Sequence, residues 1–193
     1  MQEALRELGV EREQVEVEVL EEPNRGFLGW LGARMAEVKV TVKVTKSQFA
    51  REFLKQVTNA LGIEMRVSEV GRSDRYVFLE LEGEEAGLLI GRRGETLNAL
   101  QYLVNVAASR VSQEPYRIVL DVDGYRKRRH EALERLARRV AERVRRTGRK
   151  MVLEPMPARE RRVVHLALQN QSGVTTHSEG QEPYRRVVVS PSK

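Results

Sequence analysis

Residues 88–97, which read Leu-Leu-Ile-Gly-Arg-Arg-Gly-Glu-Thr-Leu, decide how the rest of the chain is interpreted. An apolar run ends at Gly91, two arginines follow, and a helical pattern resumes directly after Gly94. The glycines allow backbone conformations and close approaches that other residues resist, and the arginines carry forked donors that suit phosphate groups. The following helix offers free amide groups and the positive end of its dipole. The pattern indicates a phosphate-binding turn, with a tight helix–helix turn bearing solvated arginines as the alternative.

The composition narrows the classes of protein to consider. The chain has 193 residues, enough for two or three small domains, with 40% hydrophobic and 32% charged residues. The absence of cysteine excludes disulfides, thiolate metal sites and cysteine nucleophiles, and it favours a reducing compartment. No apolar run approaches the ~18 residues that span a bilayer, and the N-terminus lacks the features of a secretory signal. We therefore expect no transmembrane segment.

The positive charge is concentrated in one segment. The net charge of the chain is +6, and residues 124–150 alone carry 12 basic and three acidic residues. Such a block is the electrostatic footprint expected for a polyanion partner. A solvated helix face is the alternative interpretation.

Residues 1–45 are predicted to form a partial αββ unit. Residues 1–8 have a short helical pattern that Gly9 ends. Valines alternate with polar residues over residues 15–19 and again over 38–44, which predicts two half-buried strands. Two strands and one helix bury little surface, so this unit is expected to need a neighbour or a second copy.

A glycine-rich apolar loop lies between these two strands. It reads Gly-Phe-Leu-Gly-Trp-Leu-Gly over residues 26–32 and lacks the strand-then-helix context of a phosphate-binding motif. Phe27, Leu28 and Trp30 either fold onto the sheet or form an exposed apolar patch for a partner protein. Both interpretations stay open at this point.

Residues 46–123 are predicted to form one mixed unit. Its order is helix, strand, strand, helix, Gly-Arg-Arg-Gly, helix, strand, and Ser47 is the predicted N-cap of the first helix. The short separation of the first two strands favours an antiparallel hairpin. The predicted elements span residues 47–61, 63–70, 76–81, 84–90, 95–111 and 116–122. This order resembles a type II KH domain, whose Gly-x-x-Gly turn clamps the backbone of single-stranded RNA.

Residues 124–193 are predicted to place helices on a small three-stranded sheet. A basic amphipathic helix over residues 124–147 is followed by a short strand at 151–153 and a helix over 159–169. Extended segments follow at residues 174–179 and 185–189. Together with the two preceding units, this predicts an α+β protein of three small modules with boundaries at residues 1–45, 46–123 and 124–193.

An Arg-x-x-x-His pair marks the second predicted nucleic-acid site. Arg161 and His165 are four residues apart and therefore share one face of their helix. The continuation Val-Thr-Thr-His-Ser-Glu-Gly at residues 174–180, followed by Tyr-Arg-Arg-Val-Val-Val at 184–189, resembles the R-three-H domain. That resemblance implies binding of single-stranded nucleic acid. His165 as a hydrogen-bonded structural histidine is the competing interpretation.

The three modules in sequence resemble the bacterial Jag family, the SpoIIIJ-associated proteins. The resemblance implies a cytoplasmic single-stranded RNA-binding regulator with chaperone character, acting in post-transcriptional control linked to cell elongation, cell shape, division, envelope assembly and cell wall biogenesis. It further implies a small stand-alone KH protein or self-association as partner, and a functional link to the membrane-protein insertion machinery. In this family a strand usually precedes the first helix, so we expect the N-terminal module to be truncated or completed by another chain.

The expected nucleic-acid contacts form a two-site clamp. In the KH module the turn is expected to contact phosphates, and the bases are expected to lie in an apolar groove that includes the third strand. For Ile90 and Leu97, burial in the hydrophobic core is an equally good explanation of their apolar side chains. The residues expected to bind nucleic acid are Leu89, Ile90, Gly91, Arg92, Arg93, Gly94, Thr96, Leu97, Arg161, His165, Thr176, Ser178 and Arg186.

No cofactor, metal site or catalytic residue is expected. Only His130, His165 and His177 are available for histidine chemistry, and the sequence has no metal-ligand cluster, Walker loop or dinucleotide fingerprint. We therefore expect the chain not to be an enzyme. The alternative function is a protein-interaction adaptor that uses the loop at residues 26–32, with nucleic-acid binding secondary or directed to single-stranded DNA.

Overall fold

The computed structural model describes residues 5–6, 9, 12, 15–21 and 37–192. Near the N-terminus, β1 (Val15–Glu21) and β2 (Glu37–Val42) form a two-stranded antiparallel sheet, which confirms both strands predicted from the alternating valines. Of the helix predicted over residues 1–8, Leu5 and Arg6 are described and are helical. The loop at 26–32, with Phe27, Leu28 and Trp30, lies outside the described residues.

The second module has the predicted element order αββααβ. Its sheet has the order β3-β4-β5, with β3 antiparallel to β4 and β4 parallel to β5. The predicted hairpin is therefore confirmed. Its elements are α1 (Lys46–Ala60), β3 (Arg66–Arg72), β4 (Tyr76–Glu82), α2 (Ala86–Ile90), α3 (Glu95–Val111) and β5 (Arg117–Val122).

The core of this module lies on one face of the sheet. Every second residue of β4 and β5 points at the helices, as the period of a strand requires. Burial of each such side chain stabilises the fold by about 1.5–3 kcal/mol. The most deeply buried members are Leu54, Val77, Leu79, Leu81, Leu97, Val104, Leu120 and Val122.

The start of α1 differs from the prediction. Thr45, rather than Ser47, is the N-cap: its hydroxyl accepts from the Gln48 amide at 3.1 Å, while the Gln48 side chain accepts from the Thr45 amide at 3.0 Å. This reciprocal capping box needs a glutamine three residues after the cap, and Thr45 alone has one there. Ser47 is buried, and its hydroxyl donates to Glu69 at 2.5 Å.

The C-terminal module packs helices on a three-stranded sheet, as predicted, and this sheet is antiparallel with the order β6-β8-β7. The apolar stripe of α4 packs on α5 and the sheet, and its buried residues include Leu133, Val140 and Val144. None of the described helices is long and apolar enough to cross a membrane. The elements are α4 (Tyr125–Thr147), β6 (Met151–Val152), α5 (Ala158–Leu168), β7 (Val174–Glu179) and β8 (Arg186–Pro191).

The first turn of α4 joins this module to the KH module. The amide of Gly124 donates to the Glu80 carboxylate of β4 at 2.7 Å. The Arg126 amide donates to Asp121 at 3.1 Å, and the Arg126 side chain reaches β5 and α3. The turn at residues 91–94 sits beside α4, because Gly94 lies directly against the Tyr125 ring.

Candidate nucleic-acid interface

The Gly-Arg-Arg-Gly turn connects α2 to α3, at the predicted junction. Gly91 has φ +67° and ψ −169°, residues 92–94 form a single 3-10 turn, and Gly94 has φ +79° directly before α3. No side-chain cap closes the start of α3. The Glu95 amide donates to the Arg92 carbonyl, whereas no side chain caps the described amides that follow it. The helix dipole favours an anion at this end of α3.

Both glycines are required by space as well as by backbone angle. A Cβ on Gly91 would overlap the hydroxyl of Thr96. A Cβ on Gly94, which is buried, would lie 2.8 Å from Cε1 of Tyr125 in α4. The second glycine thus allows α4 to approach the turn, a role that the sequence pattern did not reveal.

The two arginines of the turn have different surroundings. Arg92 is exposed and forms no side-chain hydrogen bond or ion pair with any residue that the structure describes. The Arg93 side chain is only 25% exposed; its guanidinium forms an ion pair with Glu154, and Nη1 donates to the Pro155 carbonyl at 2.7 Å. Arg93 thus ties the turn to the C-terminal module, and Arg92 can meet a phosphate without breaking a contact.

The apolar residues expected to line a groove lie mainly in the core. Leu89 and Leu97 are 1% and 0% exposed and belong to the core of the KH module, and Ile90 packs against that core. The side chains of Leu89 and Leu97 hold α2 and α3 on the sheet and are closed to a ligand, whereas Ile90 is partly exposed. Thr96 is exposed on the first turn of α3, next to Gly91.

The free edge of the third KH strand is covered by side chains. Asn105 of α3 both donates to the Ile118 carbonyl at 2.7 Å and accepts from the Ile118 amide at 2.9 Å. Gln101 accepts from the Leu120 amide at 3.0 Å, and Arg126 donates to the Leu120 carbonyl at 2.8 Å. A ligand therefore cannot pair with the backbone of β5 at these positions.

An open groove of about 800 Å³ runs between α3 and β5 instead. Its lining includes Tyr76, Asn98, Val106 and Tyr102, and the last of these is 69% exposed. Exposed tyrosine faces beside amide side chains suit the stacking and hydrogen bonding of unpaired bases. This is the surface that the sequence pattern did not identify, because it depends on how α3 lies along β5.

Three of the predicted residues of the C-terminal site meet in one place. His165 of α5 forms hydrogen bonds through Nδ1 to the Thr176 hydroxyl and through Nε2 to the Ser178 hydroxyl, both at 2.8 Å. Thr176 and Ser178 alternate along β7 and so face the same side. Burial lowers the pKa of His165, and the neighbouring side chains of Arg161 and His177 lower it further. The imidazole of His165 is therefore neutral at neutral pH. We call His165, Thr176 and Ser178 the His165 cluster.

Arg161 and Arg186 contribute in different ways. Arg161 is 7% exposed; Nη1 donates to the Met156 carbonyl at 2.8 Å, and Nη2 pairs with Glu182 at 2.8 Å. Its guanidinium is already satisfied, so it positions α5 and the segment around Glu182 instead of presenting a free charge. Arg186 is exposed and lies 3.6 Å from Glu179.

The free energy of unfolding is expected to depend on pH because the pKa of His165 is lowered in the folded state. The folded state favours the neutral ring, so the unfolded state, in which a histidine has a pKa of about 6.5, binds the proton first as the pH falls. The advantage of wild type over His165→Gln should thus be constant at alkaline pH and decrease as the pH falls below about 6.5. Urea unfolding of both proteins between pH 8 and pH 5 measures it. An advantage that grows on acidification would contradict this assignment.

A crevice between the modules contains charged residues that the sequence analysis did not single out. It has a volume of about 90 Å³ and lies between the turn, the first turns of α4 and the start of α5. Arg129 and Glu160 form a two-pronged ion pair across it, with N···O distances of 2.8 and 2.7 Å. The run of basic residues at 126–129 was visible in the sequence, but which of them face α5 depends on tertiary packing. The arginines of this crevice are Arg93, Arg126, Arg129 and Arg159.

Comparison with known proteins divides the chain in the same order. Residues 1–42 match the Jag N-terminus, residues 47–120 match the KhpA/KhpB KH domain, and residues 131–191 match the R-three-H domain. These matches confirm the resemblance to the Jag family and the three-module description.

Curated relatives extend the similarity over nearly the whole chain. The chain is 41% identical over 188 residues to the RNA-binding protein KhpB of Clostridium symbiosum, which covers 97% of the chain and 84% of the relative. It is 37% identical over 192 residues to KhpB of Bacillus subtilis strain 168, covering 98% of the chain and 92% of the relative. These relatives are named as RNA-binding proteins, which agrees with the expectation that the chain is not an enzyme.

Proposed function

Because the chain belongs to the family of the RNA-binding protein KhpB, we propose that it binds single-stranded RNA at the Gly-Arg-Arg-Gly turn and at the His165 cluster. One observation supports this proposal more strongly than the others. Arg92 is exposed beside the uncapped start of α3, in a turn whose shape requires glycine at both ends. The fixed charge of Arg92 and the positive end of the α3 dipole at one point suit a phosphate group.

In the KH module the phosphates bind at the turn and the bases extend over α3. The amides at the start of α3 and the Arg92 guanidinium donate to phosphate oxygens. Bases then lie in the groove between α3 and β5, where Tyr102 offers a stacking face and Asn98 offers an amide. A KH domain holds about four nucleotides, and each stacked base contributes about 1–3 kcal/mol.

In the C-terminal module the His165 cluster presents a ring and two hydroxyls to the strand. The neutral ring favours stacking on a base, while Thr176 and Ser178 exchange hydrogen bonds with the ring or with a phosphate. Arg186 completes the site, because an exposed ion pair such as Arg186–Glu179 is worth only about 0–1 kcal/mol and can be exchanged for a phosphate contact. Arg161 positions the helix that carries His165.

Long-range attraction comes from α4. Exposed arginines and lysines of this helix increase the positive potential between the two sites, which speeds association with a polyanion. Several of them carry no ion pair with a described residue and are available for this purpose. Examples are Lys127, Arg128, Arg139, Arg143 and Arg146.

The proposed cellular role follows the family. The chain acts in the cytoplasm in post-transcriptional control linked to cell elongation, division or envelope assembly. Its proposed partners are single-stranded RNA and a small stand-alone KH protein or a second copy of itself. A functional link to the membrane-protein insertion machinery belongs to the same proposal.

The test is an RNA titration of the unaltered protein at several salt concentrations. If about five phosphates are neutralised, log affinity for a single-stranded RNA should fall with log salt at a slope near −3.5. A duplex of the same sequence is the control and should bind more weakly, since its bases cannot reach the groove. Absence of saturable binding, or binding that does not respond to salt, would refute the proposed function.

A further inference from the structure

The inter-module crevice contains more positive charge than its carboxylates neutralise. Arg129 is paired with Glu160, and Arg93 is paired with Glu154 outside the crevice. Two arginines remain: Arg126 from α4 and Arg159 from α5. They come from different elements and meet at the same cavity.

Arg126 is a partly buried cation, and among the described residues its guanidinium donates to neutral oxygens. Its guanidinium donates to the Leu120 carbonyl at 2.8 Å, to Asn98 at 3.2 Å and to Gln101 at 3.1 Å. Burial lowers its pKa, the charge of Arg159 lowers it further, and Asp121 opposes this. Like charges that face a common, partly desolvated cavity are stabilised by an anion between them.

The Arg159 side chain has no bonding partner among the described residues. It is exposed, and its side chain forms no hydrogen bond or ion pair with any residue that the structure describes. It stands at the first turn of α5, which begins without a side-chain cap, so the helix dipole adds to the positive potential there. The cavity of about 90 Å³ far exceeds the ~15 Å³ that one water molecule requires, so it has room for a phosphate group.

The crevice also continues a path already described. Asn98 lines both this crevice and the groove between α3 and β5. The opposite wall is the start of α5, the helix that carries His165. A strand that leaves the KH module in this direction therefore reaches the C-terminal module across the crevice.

We propose that the crevice binds a backbone phosphate of the RNA between Arg126 and Arg159, and so joins the KH and C-terminal sites into one continuous surface. This rests on the proposed function, because the ligand is the same single strand. It adds a third contact point, formed by both modules together. One RNA strand therefore binds both sites at once, and the distance between the sites fixes the number of nucleotides between its two contact points. The modules consequently do not bind RNA independently.

Arg159→Ala tests the inference, with Arg162→Ala as its matched control. Both residues are exposed on α5 and both changes remove one positive charge, but only Arg159 lines the crevice. For an RNA long enough to span both modules, Arg159→Ala should weaken binding about fivefold or more and reduce the salt slope by about 0.7, the value for one phosphate. Arg162→Ala should change the affinity by less than about twofold, within the range of surface substitutions.

A neutral linkage in the RNA makes the test specific. A single methylphosphonate placed at successive positions should weaken binding to wild type at one internal position and weaken it less there in Arg159→Ala, since the two changes share the Arg159 contact and only the Arg126 contact is left to lose. If Arg159→Ala and Arg162→Ala lose affinity equally, with unchanged thermal unfolding, the crevice proposal is overturned and the proposed function stands. If the unaltered protein fails to bind RNA, the proposed function is overturned and this inference with it.

Discussion

Replacing Arg92 with glutamate is expected to weaken the binding of single-stranded RNA by roughly 10- to 100-fold, because a charge-assisted hydrogen bond to phosphate contributes about 1.5–3 kcal/mol. The salt slope should also decrease by about 0.7 for the one phosphate released. The free energy of unfolding should stay within about 0.5 kcal/mol of wild type, since Arg92 is exposed and has no contact to lose among the described residues. Fluorescence anisotropy and urea unfolding measure the two quantities.

Lys55→Glu is the matched control for this variant. Lys55 is an exposed residue of α1, and its reversal changes the net charge of the protein by the same amount. RNA affinity should therefore separate the two variants if Arg92 makes a direct contact. Equal losses would mean that RNA responds only to overall charge, and the turn would return to a structural role.

Replacing Gly91 with alanine is expected to have the largest effect on the fold and on RNA binding together. The residue has φ +67° and ψ −169°, a conformation that only glycine adopts readily, and an added Cβ would overlap the Thr96 hydroxyl. Such a strained position costs about 1–3 kcal/mol. The turn must also move to relieve the contact, so RNA affinity should fall further than the loss of stability alone explains. Thermal unfolding and anisotropy on the same sample give both values.

Gly87→Ala provides the comparison within the same short stretch. Gly87 is an exposed residue of α2, and a Cβ there would meet nothing within 4 Å. Alanine in a helix is favoured over glycine by about 0.8–1 kcal/mol, so this variant should be as stable as wild type or more so and bind RNA normally. If Gly91→Ala behaved like Gly87→Ala, the glycine requirement at the turn would be wrong.

Much of the architecture could be predicted from local patterns. Alternating valines indicated β1 and β2, and an apolar run before Gly91 placed the turn between two helices, because these signals depend only on neighbours in the chain. The cap of α1 was misassigned because Thr45 and Ser47 both suit an N-cap. Thr45 is the cap because it exchanges hydrogen bonds with Gln48, while the Ser47 hydroxyl donates to Glu69 instead.

The candidate site was predicted less completely, for a different physical reason. The spacing of Thr176 and Ser178 along a strand brings both hydroxyls to His165, a contact that the sequence pattern did not specify. Charged side chains, however, find partners by tertiary proximity. Arg93 forms an ion pair with Glu154, which is far from the turn in the sequence, and its guanidinium also donates to the Pro155 carbonyl. Arg161 forms an ion pair with Glu182. No local pattern distinguishes such an arginine from Arg92, which forms no side-chain hydrogen bond or ion pair with the described residues.

Direct contact between RNA and the turn at residues 91–94 can be measured by amide chemical-shift mapping with a ¹⁵N-labelled protein. On titration with a short single-stranded RNA, we expect saturable shifts at the amides of Gly91, Arg92, Gly94 and Glu95, with those of α1 unchanged. Saturable binding whose shifts leave these four amides unmoved would contradict direct contact.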